Sequence, residues 1–338
     1  MIRVTHILPF RDVGGTEQMV LSLCKLSNRA EFDCAVTMPG EGLMADEIRK
    51  TGTIVHTGWP SYHAAMNWAD IVNLHWLDYL PDLHSLVQSS RKPYVTTLHG
   101  ASEMPDLPAL TICTARHTYQ IQRNKRRFVM VPNGVDFSRF FPRPRRRQKE
   151  VIITRVCRPV RCALYFWTAM RKVLNRYPEA RLWIVGNDDG FVGSTEIARF
   201  FGIRRDIPEI LAETDIFAYA PYPDIGSSDL VVMEASAMGV PCVVSDVNAV
   251  SESVENGQNG FLTPYGDEDI FAQKVGMLVE DTSLRKQMGQ IAIRIAQERF
   301  DMRRVARRYE DIYRSVLNVS QNRSAFNSSP AFPPLGMA

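Results

Sequence analysis

The chain has 338 residues, 40 Lys and Arg against 37 Asp and Glu, a formal net charge of +3 and 45% apolar residues. That balance describes an ordinary globular protein long enough for two domains, each with its own core, and it excludes a strongly basic nucleic-acid binder. No stretch approaches the ~20 apolar residues of a membrane span.

The amino terminus, Met1-Ile2-Arg3-Val4, leads straight into a strand, so no signal peptide is expected. A strand over Arg3 to Leu8 is followed by a loop that ends in Gly14-Gly15. Met19, Val20, Leu23 and Cys24 then recur at helical spacing, which predicts a helix from Thr16 to Leu26. A glycine pair at a helix start lets backbone approach a ligand closely, although neither a GxGxxG fingerprint nor a P-loop is present. Further strands are read at Ala35 to Met38, Ile54 to His56, Ile71 to Leu74, Tyr94 to Leu98, Leu110 to Ala115 and Phe128 to Val131. Two of them run out on a histidine, His75 and His99. Strand ends at the carboxyl edge of a parallel sheet face ligands, so both are candidates, with a structural hydrogen-bonding role as the alternative.

Phe140 to Glu150 is rich in proline and arginine and reads as a linker. A new series opens with a strand over Val151 to Val156 and continues into Cys157-Arg158-Pro159-Val160-Arg161-Cys162 and a helix from Ala163 to Asn175. Two arginines at a strand-to-helix turn suit a pyrophosphate; the alternative is a pair of surface arginines. Arg181 to Val185 is a strand that turns at Gly186 to Gly190, and Gly202 to Asp215 holds a short helix. The acidic pair Asp188-Asp189 is not a DxD pattern, and no metal is expected to be needed. Ile216 to Ala220 is a buried strand, a loop with Gly226, Ser227 and Ser228 follows, and a helix from Leu230 to Met238 stops at Gly239 ahead of a strand over Cys242 to Ser245. Glu234 lies about one turn inside that helix, where a carboxylate suits a sugar diol; a solvated or dipole-stabilising acid is the other reading. Helices over Asp267 to Val279, Thr282 to Gln297 and Met302 to Leu317 precede a Ser/Asn/Pro-rich tail expected to be disordered.

The six cysteines form no CxxC pair and mostly sit in apolar runs, so they read as reduced core residues of a cytosolic protein, not a disulfide frame or zinc site. Basic clusters at Arg123 to Arg127, Arg139 to Lys149 and Arg303 to Arg308 come without a zinc-finger, RNP-like or helix–turn–helix pattern. They read as solvated faces and a charged linker, with docking on an anionic membrane surface as the alternative.

The segment Glu234-Ala235-Ser236-Ala237-Met238-Gly239-Val240-Pro241-Cys242-Val243-Val244 resembles the donor-binding segment of GT4-type retaining glycosyltransferases, which have the GT-B fold. Asn259-Gly260-Phe261-Leu262 resembles the turn that follows it there, and Val131-Pro132-Asn133-Gly134-Val135-Asp136 the family's interdomain junction. The similarity covers most of the chain in order. It implies an α/β protein of two Rossmann-like domains facing across a cleft: an acceptor-binding domain over 1–140, a linker over 141–150, a nucleotide-sugar domain over 151–300, a helix over 301–319 crossing back, and a tail over 320–338. In the family's G-R-L-x-x-x-K-G motif Arg158 takes the arginine position and Arg161 the lysine position, with Arg155 as the fallback if the register shifts. Cys157 and Cys162 replace the usual glycines, and Gly226 stands where the family commonly has a second glutamate.

The resemblance implies transfer of a sugar from a UDP- or GDP-sugar to a hydroxyl, with retention, without a metal or cofactor, and with the leaving phosphate as base. Glu234 would hold the ribose, Arg158 and Arg161 the diphosphate, and the loop around Ser228, Asp229, Leu230 and Val231 would add helix-end stabilisation. Gly14, Gly15 and His99 would line the opposite wall, with Thr16, His75 and His99 on the acceptor side. A cytoplasmic protein, peripheral at the inner face of the membrane, with a carbohydrate or lipid-linked acceptor in cell-envelope polysaccharide or glycolipid synthesis is expected; a natural-product aglycone is the acceptor alternative. The rival readings are a phosphorylase or epimerase on the same scaffold, and a non-catalytic sugar-nucleotide-binding subunit.

Overall fold

The computed structural model describes residues 1–9, 14–76, 81–100, 102–105, 109–123, 125–144, 149–156, 163–186, 194–223, 230–247 and 249–321. They form two compact units, Met1–Asn133 with the segment from Met302 onward, and Gly134–Asp301.

The first unit alternates strands and helices: β1 (Ile2–Ile7), α1 (Gly15–Leu26), β2 (Phe32–Met38), α2 (Leu43–Lys50), β3 (Ile54–Thr57), α3 (Trp59–Trp68), β4 (Ile71–Trp76), α4 (Pro81–Ser89) and β5 (Tyr94–Leu98). It continues with β6 (Leu110–Cys113), α5 (Arg116–Gln120) and β7 (Phe128–Met130). All seven strands are parallel, in the order β3-β2-β1-β4-β5-β6-β7, so the direction of winding reverses between β1 and β4. Ligands bind at the carboxyl ends beside such a reversal, because the crossovers on either side leave in opposite directions and open a crevice. Alternation along β1 and β2 turns Val4 and Leu8, and Cys34, Val36 and Met38, toward one face, where α1 and α2 cover them.

The second unit runs β8 (Val151–Val156), α6 (Tyr165–Arg176), β9 (Ala180–Val185), α7 (Ser194–Ile197), β10 (Ala198–Phe200), α8 (Ile207–Glu213) and β11 (Ile216–Tyr219). It ends with α9 (Leu230–Ala237), β12 (Cys242–Ser245), β13 (Gly260–Thr263), α10 (Glu268–Glu280) and α11 (Thr282–Arg299). Its six-stranded parallel sheet has the order β10-β9-β8-β11-β12-β13, with the reversal between β8 and β11. The last helix, α12 (Met302–Gln321), belongs to the first unit. Its apolar stripe of Met302, Val305, Ala306, Tyr309, Ile312 and Tyr313 packs into the core under α1, and the Glu310 carboxylate accepts the Asn28 backbone N–H at 2.7 Å.

Three features differ from the sequence expectation. Asn259-Gly260-Phe261-Leu262 is the start of an edge strand, not only a turn. Gly260 lies so close to β12 that a Cβ there would sit 2.1 Å from the Cys242 carbonyl oxygen, a proximity only glycine permits. The division into units falls at Gly134, ahead of residue 140, because Val135 and Phe140 pack into the second core and the Val135 N–H donates to the Phe300 carbonyl at 2.7 Å. The short pair α7 and β10 adds an edge strand too brief to stand out as a pattern. Gly239, in contrast, acts as read: at φ 75° it ends α9 in the left-handed region, and its carbonyl packs against Gly289 of α11. No helix among the described residues is long and apolar enough to cross a membrane.

Candidate active site

In the first unit Gly14 is the extended residue before α1, its carbonyl accepting the Gln18 N–H at 3.0 Å, and Gly15 is the helix's first residue. Thr16 and Glu17 follow in the first turn, both buried, with Glu17 on the side of the dipole that favours an acid. The helix therefore starts at the carboxyl end of β1, beside the winding reversal.

His75 and His99 come together across β4 and the end of β5, with His75 Nδ1 3.0 Å from His99 Nε2. A third imidazole joins them. His6 on β1 places Nδ1 3.0 Å from His75 Nε2, so the three rings form one hydrogen-bonded file across adjacent strands. Beside it the Thr97 hydroxyl donates to Asn73 Oδ1 at 2.9 Å, and Asn73 Nδ2 donates to the Tyr313 hydroxyl at 2.8 Å. Burial holds His75 well below the usual imidazole range, with His6 and His99 adding to the effect, and burial alone brings His99 down to about 3. His75 and His99 are thus neutral near pH 7, and His75, the middle ring, donates from one nitrogen and accepts at the other. His75 has no exposed surface and His99 is 2% exposed, so His75 holds its neighbour in place instead of lining an open acceptor pocket. His6, overlooked in the sequence because it lies inside a strand, is a full member of the file.

In the second unit α9 is apolar on every side, with Val232, Met233, Ala235 and Ala237 buried in the core, and Leu230 and Val231 half-buried in its first turn. Glu234 is the one charged residue of the helix and is half-buried. Desolvation pushes its carboxyl up to about 7, against the pull of the Arg139 guanidinium. Arg139 is brought there by a tight turn in which Asp136 Oδ1 accepts from the Ser138 N–H at 2.9 Å and the Ser138 hydroxyl at 2.7 Å, and the Asp136 carbonyl accepts the Arg139 N–H at 2.9 Å. The sequence placed Arg139 in a basic run; the Asp-x-Ser spacing before it was the available signal for the turn.

Arg158, Arg161, Ser228 and Asp229 lie outside the described residues. The elements on either side are described: β8 and α6 around the arginine segment, β11 and α9 around the serine segment, and β8 and β11 are the two strands of the winding reversal. Arg155, the fallback, is fully buried with its guanidinium 5.3 Å from the Phe166 ring and 5.1 Å from the Trp167 ring, a place in the core and not at the sheet edge.

Residues 148–281 match the family described as Glycosyl transferases group 1. An N-acetyl-alpha-D-glucosaminyl L-malate synthase from Bacillus anthracis is 29% identical over 153 residues, which are 43% of this chain and 40% of that protein. A phosphatidyl-myo-inositol mannosyltransferase from Mycolicibacterium smegmatis is 25% identical over 335 residues, covering 84% of this chain and 86% of its own length. The chain thus spans about two fifths of the first relative and most of the second. Among solved structures, Anabaena HepE in complex with UDP and glucose is similar with a TM-score of 0.77 at 17% identity, over 93% of this chain and 100% of that one. The last likeness is one of fold.

Proposed function

We propose that this chain, whose residues 148–281 match the group 1 glycosyl transferases and whose fold is GT-B, is a GT4-type transferase that moves a hexose from a UDP- or GDP-sugar to a hydroxyl of a glycolipid or polysaccharide acceptor. The observation that carries the reading is Glu234: a single half-buried carboxyl on an apolar helix inside the matched segment, opposed by Arg139. Desolvation makes the charged form of a carboxyl so placed costly, and a ribose diol would supply two donors that stabilise it. Support for the donor class comes from the UDP and glucose bound by the Anabaena protein, and for a lipid acceptor from the name of the mycobacterial relative.

In this reading Arg158 and Arg161 neutralise the diphosphate, and N–H groups at the start of α9 add to that stabilisation. The bond from the anomeric carbon to the phosphate oxygen breaks, the bond to the acceptor oxygen forms on the same face, and the acceptor's proton passes to the departing phosphate. Configuration is retained, and neither a carboxylate nucleophile nor a metal takes part. Gly14, Gly15, Thr16 and His99 belong to the acceptor side, with His75 holding His99. The protein works in the cytoplasm, peripheral to the inner face of the membrane. One departure favours a second reading, a non-catalytic nucleotide-sugar binder: Gly226 stands where the family commonly has a glutamate.

The test is release of nucleoside diphosphate from a panel of UDP-, GDP- and ADP-sugars. Turnover with a UDP- or GDP-sugar is expected, and Arg158→Ala should lose it while keeping the wild-type Tm. Full activity in that variant would remove Arg158 from the site. Donor binding without turnover would establish the binder, and a product that forms only with inorganic phosphate would establish a phosphorylase.

A further inference from the structure

At the end of the histidine file away from His99 lies chemistry that sugar transfer does not use. Cys24 projects from the buried face of α1, Cys34 from β2 and His6 from β1, and none is more than 3% exposed. Strand register explains the meeting of the last two. Val4 pairs with Cys34, and His6, two residues further along β1, points to the same face of the sheet. The α1 helix then lays Cys24 over that face from its last turns. The two sulfurs and an imidazole nitrogen all lie within 4.8 Å of one another, and among the described residues no other three His, Cys, Asp or Glu side chains gather in this way. The thiol groups lie close enough for each to perturb the other's ionisation, and His6 acts on Cys34 in the same way. A cavity of about 10 Å³ adjoins them, lined by His6 and Cys34 together with Ser27, Glu310 and Tyr313.

We propose that Cys24, Cys34 and His6 form a binding site for a Zn²⁺ ion, with a fourth position opening on the adjoining cavity. Two sulfurs and one imidazole are a soft donor set, which suits zinc and not magnesium or calcium. Charge decides between thiophilic ions. Two thiolates and Zn²⁺ sum to zero, whereas a monovalent ion would leave a net negative charge in a site with almost no access to water. The cavity has roughly the volume one water molecule needs, which fits a three-ligand zinc that completes its tetrahedron with water. Zn–S bonds of about 2.3 Å and Zn–N bonds of about 2.0 Å require ligand atoms some 3.5 Å apart, so binding draws the three together by no more than about an ångström. Each thiol gives up its proton to solvent as its sulfur takes the metal, and no oxidation is involved.

The ion also sets the direction of the file. Since His6 Nδ1 faces His75, zinc takes Nε2, and the ring must then carry its proton on Nδ1. His6 donates to His75 Nε2, His75 donates from Nδ1 to His99 Nε2, and His99 keeps its proton on Nδ1. The zinc site itself does not depend on the transfer reaction.

The full chain, purified with a phosphine reductant and stripped of metal, is titrated with Co²⁺ as a spectroscopic stand-in and then with Zn²⁺. A thiolate-to-cobalt charge-transfer band should rise to saturation at about one equivalent and vanish on addition of Zn²⁺. Cys34→Ser and Cys24→Ser should each lose most of its intensity, while Cys113→Ser, a buried cysteine outside the cluster, keeps it. Zn²⁺ should raise the Tm of the wild-type protein by several degrees. Absence of the band and of the Tm shift in the wild-type chain overturns the site even if the serine variants fail to fold, and so does a band of undiminished intensity in Cys34→Ser. In ¹⁵N-histidine spectra Zn²⁺ should leave His99 protonated on Nδ1; His99 signals unchanged by saturating metal overturn the link along the file.

Discussion

In the first unit three imidazoles stand in a hydrogen-bonded row inside the sheet, while in the second a single carboxyl sits on a helix opposite one guanidinium. Burial drives His75, His99 and Glu234 toward the uncharged form, and because the imidazoles are bases and the carboxyl an acid the shifts run in opposite directions. His99 falls from 6.5 to about 3, and Glu234 rises from 4.5 to about 7. Near neutral pH the imidazole is therefore far from its titration and Glu234 is in the middle of its own. One unit holds a fixed polar scaffold, the other a group whose charge a ligand can decide.

The contrast has opposite consequences for stability. Between about 3 and 6.5 the unfolded chain binds a proton at His99 that the folded chain does not, so stability falls as pH drops through that window. Between 4.5 and about 7 the folded chain holds a proton at Glu234 that the unfolded chain has lost, so stability falls as pH rises through it. The largest expected effect tests the first limb. Acidifying from about pH 7 to about pH 4 should cost the first unit up to about 3 kcal/mol at His99. Urea unfolding followed across that range checks it, and a flat profile would break the comparison.

Next comes Glu234→Gln, which removes the titration while keeping the shape. Above about pH 7 it should raise stability by up to about 3 kcal/mol and abolish the falling limb. The same change should weaken nucleotide binding by about 10- to 100-fold, the worth of hydrogen bonds to a charged acceptor. Thermal melts and calorimetric titration with UDP and GDP read the two together, and a variant that is less stable yet binds normally would place Glu234 outside the site. The smallest effect sharpens the pairing. Arg139→Met takes away the charge that opposes desolvation, so the pH profile of nucleotide binding should move upward. An unmoved profile would separate Arg139 from Glu234.

Much of this was readable in the chain. Short apolar runs marked the strands, and the stretch around Glu234 and Gly239 marked the helix and its stop, because hydrophobic period and a left-handed glycine are local properties. Gly260 was read as part of a turn through the family resemblance of Asn259-Gly260-Phe261-Leu262; the β12 backbone it pairs with lies on another element. The cysteines showed no metal spacing along the chain, and their gathering with His6 rests on strand register and on where α1 lies.

By itself the sequence determined the order and type of most elements, with α7, β10 and β13 the exceptions, and the family resemblance, since each follows from residues close together in the chain. The tertiary structure alone decided that His6, His75 and His99 form one file and that the Arg139 charge acts on Glu234. The reason is the parallel sheet itself. Neighbouring strands are joined by crossovers of a dozen residues or more, so side chains that touch across them are far apart in sequence, and no local pattern records which will meet.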